Sequence, residues 1–313
     1  MMYVMAKRQQ AGLSLVELMI AVALGMLLML GVMQVFLSSK NTYASNQELS
    51  EIQESGRFAL EILTRDIRNA GYKGQCIRAP SNHVTGSETT LWKNSEGPVL
   101  GWIKGSVPSQ LSFDNIDSGG VLIQFAAGSN QEFTGAASNS SASARISWEG
   151  DTASSLDEGD IALISDGLGC DLFKVANNGS DFINKASDQT GSNKNWSHDY
   201  IDSFELLKFV TPAYYIADDH GVPTLHRTYF DYDLNKLDTH ALVQGVADIQ
   251  LEYGVAKGTD LLNGVVTEYV TAEKVSANDW EKVLAIRVNL TLEAASGLQK
   301  EFSTLIGLRN RLP

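Results

Sequence analysis

Residues 13–37 read LSLVELMIAVALGMLLMLGVMQVFL, and from Leu18 to Met33 no polar side chain interrupts them. As a helix this stretch would extend about 37 Å, enough to cross a hydrocarbon layer of about 30 Å. Lys7 and Arg8 precede the run and an acidic remainder follows it, so the N-terminus is expected to stay cytoplasmic and the large C-terminal part to be exported. A cleaved secretory signal is the competing reading. Against it, the run exceeds the roughly 7–15 apolar residues of such signals, and Phe36-Leu37-Ser38-Ser39-Lys40 is a poor cleavage site, which favours a retained anchor. Glu17 is the one charge within the run. A carboxylate in hydrocarbon costs several kcal/mol unless it is partnered, so Glu17 either reaches the headgroups or has a function there.

Outward from the anchor the chain changes character. It has 313 residues, 43% hydrophobic and 19% charged, with a net charge of −13. Residues 1–12 carry +2, 13–37 carry −1, 38–71 carry −1, and 72–313 carry the remaining −13. All six prolines lie beyond residue 79. One apolar span rules out a polytopic membrane protein, and two cysteines rule out a disulfide-dense miniprotein. The acidic balance argues against a nucleic-acid partner, which would need a clustered basic surface.

From Ser38 to Ala70 apolar residues recur at three- and four-residue steps, among them Leu49, Ile52, Ala59, Leu60, Leu63, Ile67 and Ala70. This predicts an amphipathic helix continuing the anchor, stopped at Gly71 after Arg65 and Arg68 in the last turns. Gly25 and Gly31 interrupt the apolar half, through close helix packing in the membrane or a stretch able to loosen. Beyond Gly71 the pattern shifts to strands. Leu284, Ile286, Val288, Leu290 and Leu292 alternate with more polar residues, as do Ile249, Leu251, Tyr253 and Val255. Val121–Phe125, Ile161–Ile164, Leu172–Val175, Ala213–Ile216 and Leu225–Phe230 are shorter candidates. The fold class is therefore α+β, a long N-terminal helix packed on a mainly antiparallel β-sheet head. Residues 127–160 and 177–199, rich in Gly, Ser, Asn and Asp, read as surface loops or elaborated hairpins.

Cys76 and Cys170 both lie on the side expected to be exported, where disulfides persist; a bond would pin the segment after the helix to the strand Leu172–Val175, and two buried free thiols are the alternative. No nucleophile elbow, zinc-protease, nucleotide or dinucleotide motif is present, and His83, His198, His220, His226 and His240 lie apart, with His220 and His226 flanking a hairpin at Gly221-Val222-Pro223. Asp231-Tyr232-Asp233-Leu234-Asn235-Lys236-Leu237-Asp238 begins like a calcium loop. It has Lys236 where glycine is needed and Leu242 where the bidentate glutamate belongs, so a solvated hairpin is the better reading. No metal or cofactor is expected.

Residues Gly12-Leu13-Ser14-Leu15-Val16-Glu17-Leu18-Met19-Ile20-Ala21 resemble the type IV prepilin signature, with Leu13 where the family most often has phenylalanine. The segments Arg65–Tyr72 with Cys76, Ala213–Ile216, Gly221–Arg227, Leu242–Val246, Ile249–Gly254 and Leu308–Arg311 are similar to PilW-type minor pilins. The resemblance implies a 1–12 leader cut after Gly12 by a prepilin peptidase, methylation of the Leu13 amine, and a Glu17 carboxylate that pairs with the N-terminal ammonium of a neighbouring helix. The remaining divisions would be a 13–37 membrane and filament-core helix, a 38–71 amphipathic helix, and head parts 72–210 and 211–313. It implies a non-enzymatic subunit of the inner membrane and then of the pilus, acting in the priming or tip complex that supports twitching motility. Its partners would be other minor pilins, the major pilin, the peptidase, the inner-membrane assembly platform and a tip adhesin. A type II secretion pseudopilin, and a membrane-anchored periplasmic enzyme or binding module, are the alternatives.

Overall fold

The computed structural model describes residues 14–77, 79–84, 97–108, 116–128, 132–137, 145–150, 155–186, 195–231, 236–258 and 263–311. The chain falls into two compact units, Met1–Glu51 and Ile52–Pro313. One helix, α1 (Leu15–Asn69), runs through the apolar and amphipathic stretches that the sequence marks as helical. Leu, Met and Ala dominate its first half and are strong helix formers, which tolerates Gly25 and Gly31. A Cβ added at either glycine would meet nothing within 4 Å, so packing within this chain does not demand them.

In the second unit, α1 buries Ile52, Gly56, Ala59, Leu63, Asp66 and Ile67, one stripe at three- and four-residue spacing. Gly56 allows close approach: a Cβ there would lie 2.5 Å from the Phe302 ring. The helix ends where Gly71 takes a left-handed conformation (φ 77°), and the Gly71 N–H donates to the Gln124 carbonyl at 2.8 Å.

Two antiparallel sheets meet this stripe. The first has the order β13 (Lys236–Gln244), β12 (Val222–Asp231), β11 (Ala213–Asp219), β3 (Ile116–Ile123), β2 (Val99–Trp102). The second has the order β15 (Glu268–Val270), β14 (Val246–Val255), β16 (Val283–Glu293), β17 (Gln299–Gly307). Ile286, Val288, Leu290 and Leu292 on β16 join Ile249, Leu251 and Tyr253 on β14, Tyr214 on β11, and Leu63 and Ile67 of the helix in one core. The β11–β12 hairpin turns at His220 (φ 56°) and Gly221 (φ 88°), two consecutive left-handed residues whose twist matches that of the strands they join.

The remaining strands form a third sheet: β1 (Ser81–Asn82), β4 (Phe125–Ala127), β5 (Glu132–Ala137), β6 (Arg145–Trp148), β7 (Ile161–Ser165), β8 (Cys170–Asn178), β9 (Phe182–Lys185) and β10 (Tyr200–Val210). Six of them, β8-β7-β10-β5-β6-β9, pair in sequence, and β9 pairs back to β8, so the antiparallel ladder closes into a ring. The ring has its own core, built on Phe133, Trp148, Phe173, Trp196, Tyr200 and Phe204. The loop-like stretches 127–160 and 177–199 contribute β5, β6 and β9 to it.

Candidate functional site

The first feature is the outer surface of α1. From Leu15 to Leu37 every described side chain is exposed, with Leu15 at 75% and Met29 at 76%. The window is long and apolar enough to cross a membrane, with a mean hydropathy of 2.5 and none of it buried within the chain. Exposing such a surface to water is unfavourable at about 25 cal/mol per Å², so it requires lipid or other helices. Glu17 lies in the first turn, where the helix dipole favours a negative charge. It makes no ion pair with any described residue. Gly12 and Leu13 lie outside the described residues.

The second feature is the end of α1 inside the head. Asp66 is 4% exposed and accepts a hydrogen bond from the Tyr214 hydroxyl at 2.5 Å. Burial first, and then the Asp66 charge, push the Tyr214 phenol far above its ordinary range, so it remains a donor. Arg65 adds a second contact to Asp66 at 3.2 Å. Three residues later the helix ends, and its last carbonyls need donors: the Tyr72 N–H donates to the Asn69 carbonyl at 2.9 Å, and Asn310 Nδ2 adds contacts to the Asn69 carbonyl at 3.2 Å and to the Ala70 carbonyl at 3.3 Å. Tyr72, just past the helix, accepts from the Ala126 N–H at 2.7 Å. Segments far apart in sequence, Arg65–Tyr72, Ala213–Ile216 and Leu308–Arg311, thus close on one point.

The third feature is a fastener between the helix end and the ring. Cys76 and Cys170 form a disulfide, with Cα atoms 5.6 Å apart. It ties the segment after α1 to the first residue of β8. Next to it, the fully buried Asp171 carboxylate faces His83 Nε2 at 2.5 Å and accepts from the Tyr200 hydroxyl at 2.5 Å and the Ser197 hydroxyl at 2.7 Å. Burial opposes its charge, but the hydrogen bonds from His83, Tyr200 and Ser197 outweigh burial and hold the carboxyl below the ordinary aspartate range.

Two family models match the chain. Residues 7–33 match the prokaryotic N-terminal methylation motif, and residues 213–310 match the type IV pilus-assembly protein W family. Its C-terminal third is thus similar to the PilW family, and its N-terminal stretch carries the methylation motif of type IV pilins. No curated protein and no solved structure matches it.

The methylation motif covers the opening of the exposed apolar helix, a combination that fits a membrane-anchored pilin. The PilW match begins at β11 and ends at Asn310, so it contains the Tyr214 and Asn310 contacts to the helix end. The ring strands lie outside it. The pilin families are structural ones whose members work with other pilus components. Within the ring, Ser197, His198 and Asp166 form a chain that superficially resembles a hydrolase triad, with Ser197 Oγ 3.1 Å from His198 Nδ1 and His198 Nε2 2.8 Å from Asp166. The Ser197 hydroxyl has one proton and directs it at Asp171, at the shorter distance of 2.7 Å, so the imidazole is not positioned to remove it. His220 and His240 contact Asp219 and Asp238, and His226 Nδ1 contacts the Thr224 carbonyl oxygen. Among the described residues no three metal-ligating side chains cluster. The calcium-like run falls in the β12–β13 hairpin, and its residues 232–235 lie outside the described residues.

Sequence reasoning did not assign roles to Asp66, Gly56 or Asn310. Asp66 carries a readable signal, a carboxylate within the apolar stripe Leu63-Ile67-Ala70. Asn310 carries none by itself, because its partner is more than two hundred residues away.

Proposed function

We propose that this pilin is a minor subunit of a type IV pilus, acting in the priming or tip complex from which the fibre grows and so supporting twitching motility. The observation that carries this reading is the exposed apolar surface of Leu15–Leu37, opening with one carboxylate in its first turn. Cleavage after Gly12 would free the Leu13 amine, which is then methylated. In a helical fibre core, Glu17 would pair with that ammonium on a neighbouring subunit. Apolar contacts alone tolerate sliding, whereas a buried ion pair fixes register, because displacement leaves a lone charge in hydrocarbon. The leader would lie on the cytoplasmic side and the head in the periplasm, and other minor pilins, the major pilin, the prepilin peptidase and the assembly platform would be its contacts. The subunit would be non-catalytic.

The test is Glu17→Ala in a strain lacking the native gene. Surface pili and twitching should be lost while the processed protein persists in the inner membrane. Normal piliation by the variant would refute the assembly role of Glu17. Loss of secretion with intact twitching in the deletion strain would instead place the subunit in a type II secretion system.

A further inference from the structure

Beside the end of α1 in the head, a slot of about 210 Å³ is walled by Tyr72, Lys73, Gly97, Glu281, Asn310 and Arg311. Its charged walls are Lys73, Arg311 and Glu281. Arg311 is held from behind. Its N–H donates to the Leu308 carbonyl at 3.0 Å, Asn310 clasps the helix end, and Arg311 Cδ lies 3.6 Å from the position a Cβ on Gly71 would occupy. The guanidinium, however, makes no hydrogen bond or ion pair with any described residue, and its Nε is buried without a partner. Glu281 lines the same slot but forms no ion pair within 4 Å among the described residues. Its charge opposes the lowering of Lys73 and Arg311 that burial produces, without cancelling it. An arginine has five donors in a planar fork, a geometry that matches a carboxylate, and here the buried Nε–H is left without a partner.

We propose that this slot binds a carboxylate side chain presented by a neighbouring pilus subunit, with Arg311 as its anchor. This rests on the assembly reading above. The size of the slot suits one carboxylate on its short stem. Its place between the helix end, the third sheet and the terminal turn would let an incoming acidic residue lock the Asn310 clasp.

The full mature chain in detergent micelles, labelled with ¹⁵N-arginine, gives a direct readout through arginine Nε–H signals. Sodium acetate, titrated against sodium chloride at constant ionic strength, should shift one signal to saturation, and that signal should be absent from Arg311→Lys. Glu281→Gln removes the competing carboxylate and should lower the half-saturating acetate concentration several-fold, an outcome that misfolding cannot imitate. An unsaturating shift shared by all arginines would overturn the proposal. In cells, a photo-crosslinker at Asn82, on the rim of the slot, should capture a pilus subunit in the wild type and lose it in Arg311→Gln. Acetate binding with an unchanged crosslink would assign the slot to a free oxyanion and overturn the neighbouring-subunit source. Processing after Gly12, read in the same samples, reports on the pilus assignment alone and so separates the two failures.

Discussion

The Tyr214 hydroxyl donates to the Asp66 carboxylate at 2.5 Å, joining the last turn of a long helix to the central strand of a sheet 148 residues later in the chain. Both groups are buried. Tyr214→Phe should therefore lower unfolding stability by about 1–3 kcal/mol, the cost of leaving a buried acceptor short of its donor. Chemical denaturation of the single variants and the double variant with Asp66→Asn should give a coupling energy well above zero. Additive effects would show that the bond contributes nothing of its own.

Gly56 should not tolerate alanine. In an isolated helix the change would gain about 1 kcal/mol, but here the new methyl would meet the Phe302 ring. We expect net destabilisation of about 1–3 kcal/mol, relieved when Phe302→Leu is added. A more stable Gly56→Ala variant would contradict the close approach of α1 to β17.

Removal of the disulfide should loosen the ring attachment more than the sheet core. The bond closes a loop of sequence separation 94, and loss of a native disulfide typically costs about 2–5 kcal/mol. Hydrogen exchange in Cys76→Ser/Cys170→Ser should rise most around residues 73–84 and at the start of β8, and least in β14 and β16. Uniform acceleration would show that the bond stabilises the head globally instead.

Acid should weaken the head through Asp171. Its folded pKa is depressed below the unfolded value of about 4, so its contribution is complete above that value and is lost as pH falls through the folded one. The urea midpoint should fall below pH 4 in the wild type. Asp171→Asn should be less stable at pH 7 and show a flatter acid limb; an unchanged limb would assign the acid sensitivity to other carboxylates.

The helix was legible because its two halves carry strong periodic signals, expected over 13–70 and found over Leu15–Asn69. β14 and β16 were legible from alternation, since each buries one face of a sheet. The ring strands β5, β6 and β9 were not, because their four to six residues carry Gly, Ser and Asn between single apolar anchors such as Phe133, Ile146 and Ile183. Their strand character comes from closure of the ladder around a common core, which no local window contains. The same limit applies to the site. Glu17, Cys76 and Cys170 stand out by residue type, whereas the meeting of Asp66 with Tyr214, and of Asn310 with the helix end, is a product of the fold.

Mass spectrometry of the N-terminus of the chain, purified from membranes of cells with an active prepilin peptidase, bears most directly on its assignment as a processed pilin. The mature protein should begin at Leu13 with an N-methylated amine. A chain that retains Lys7 and Arg8 under those conditions would contradict it.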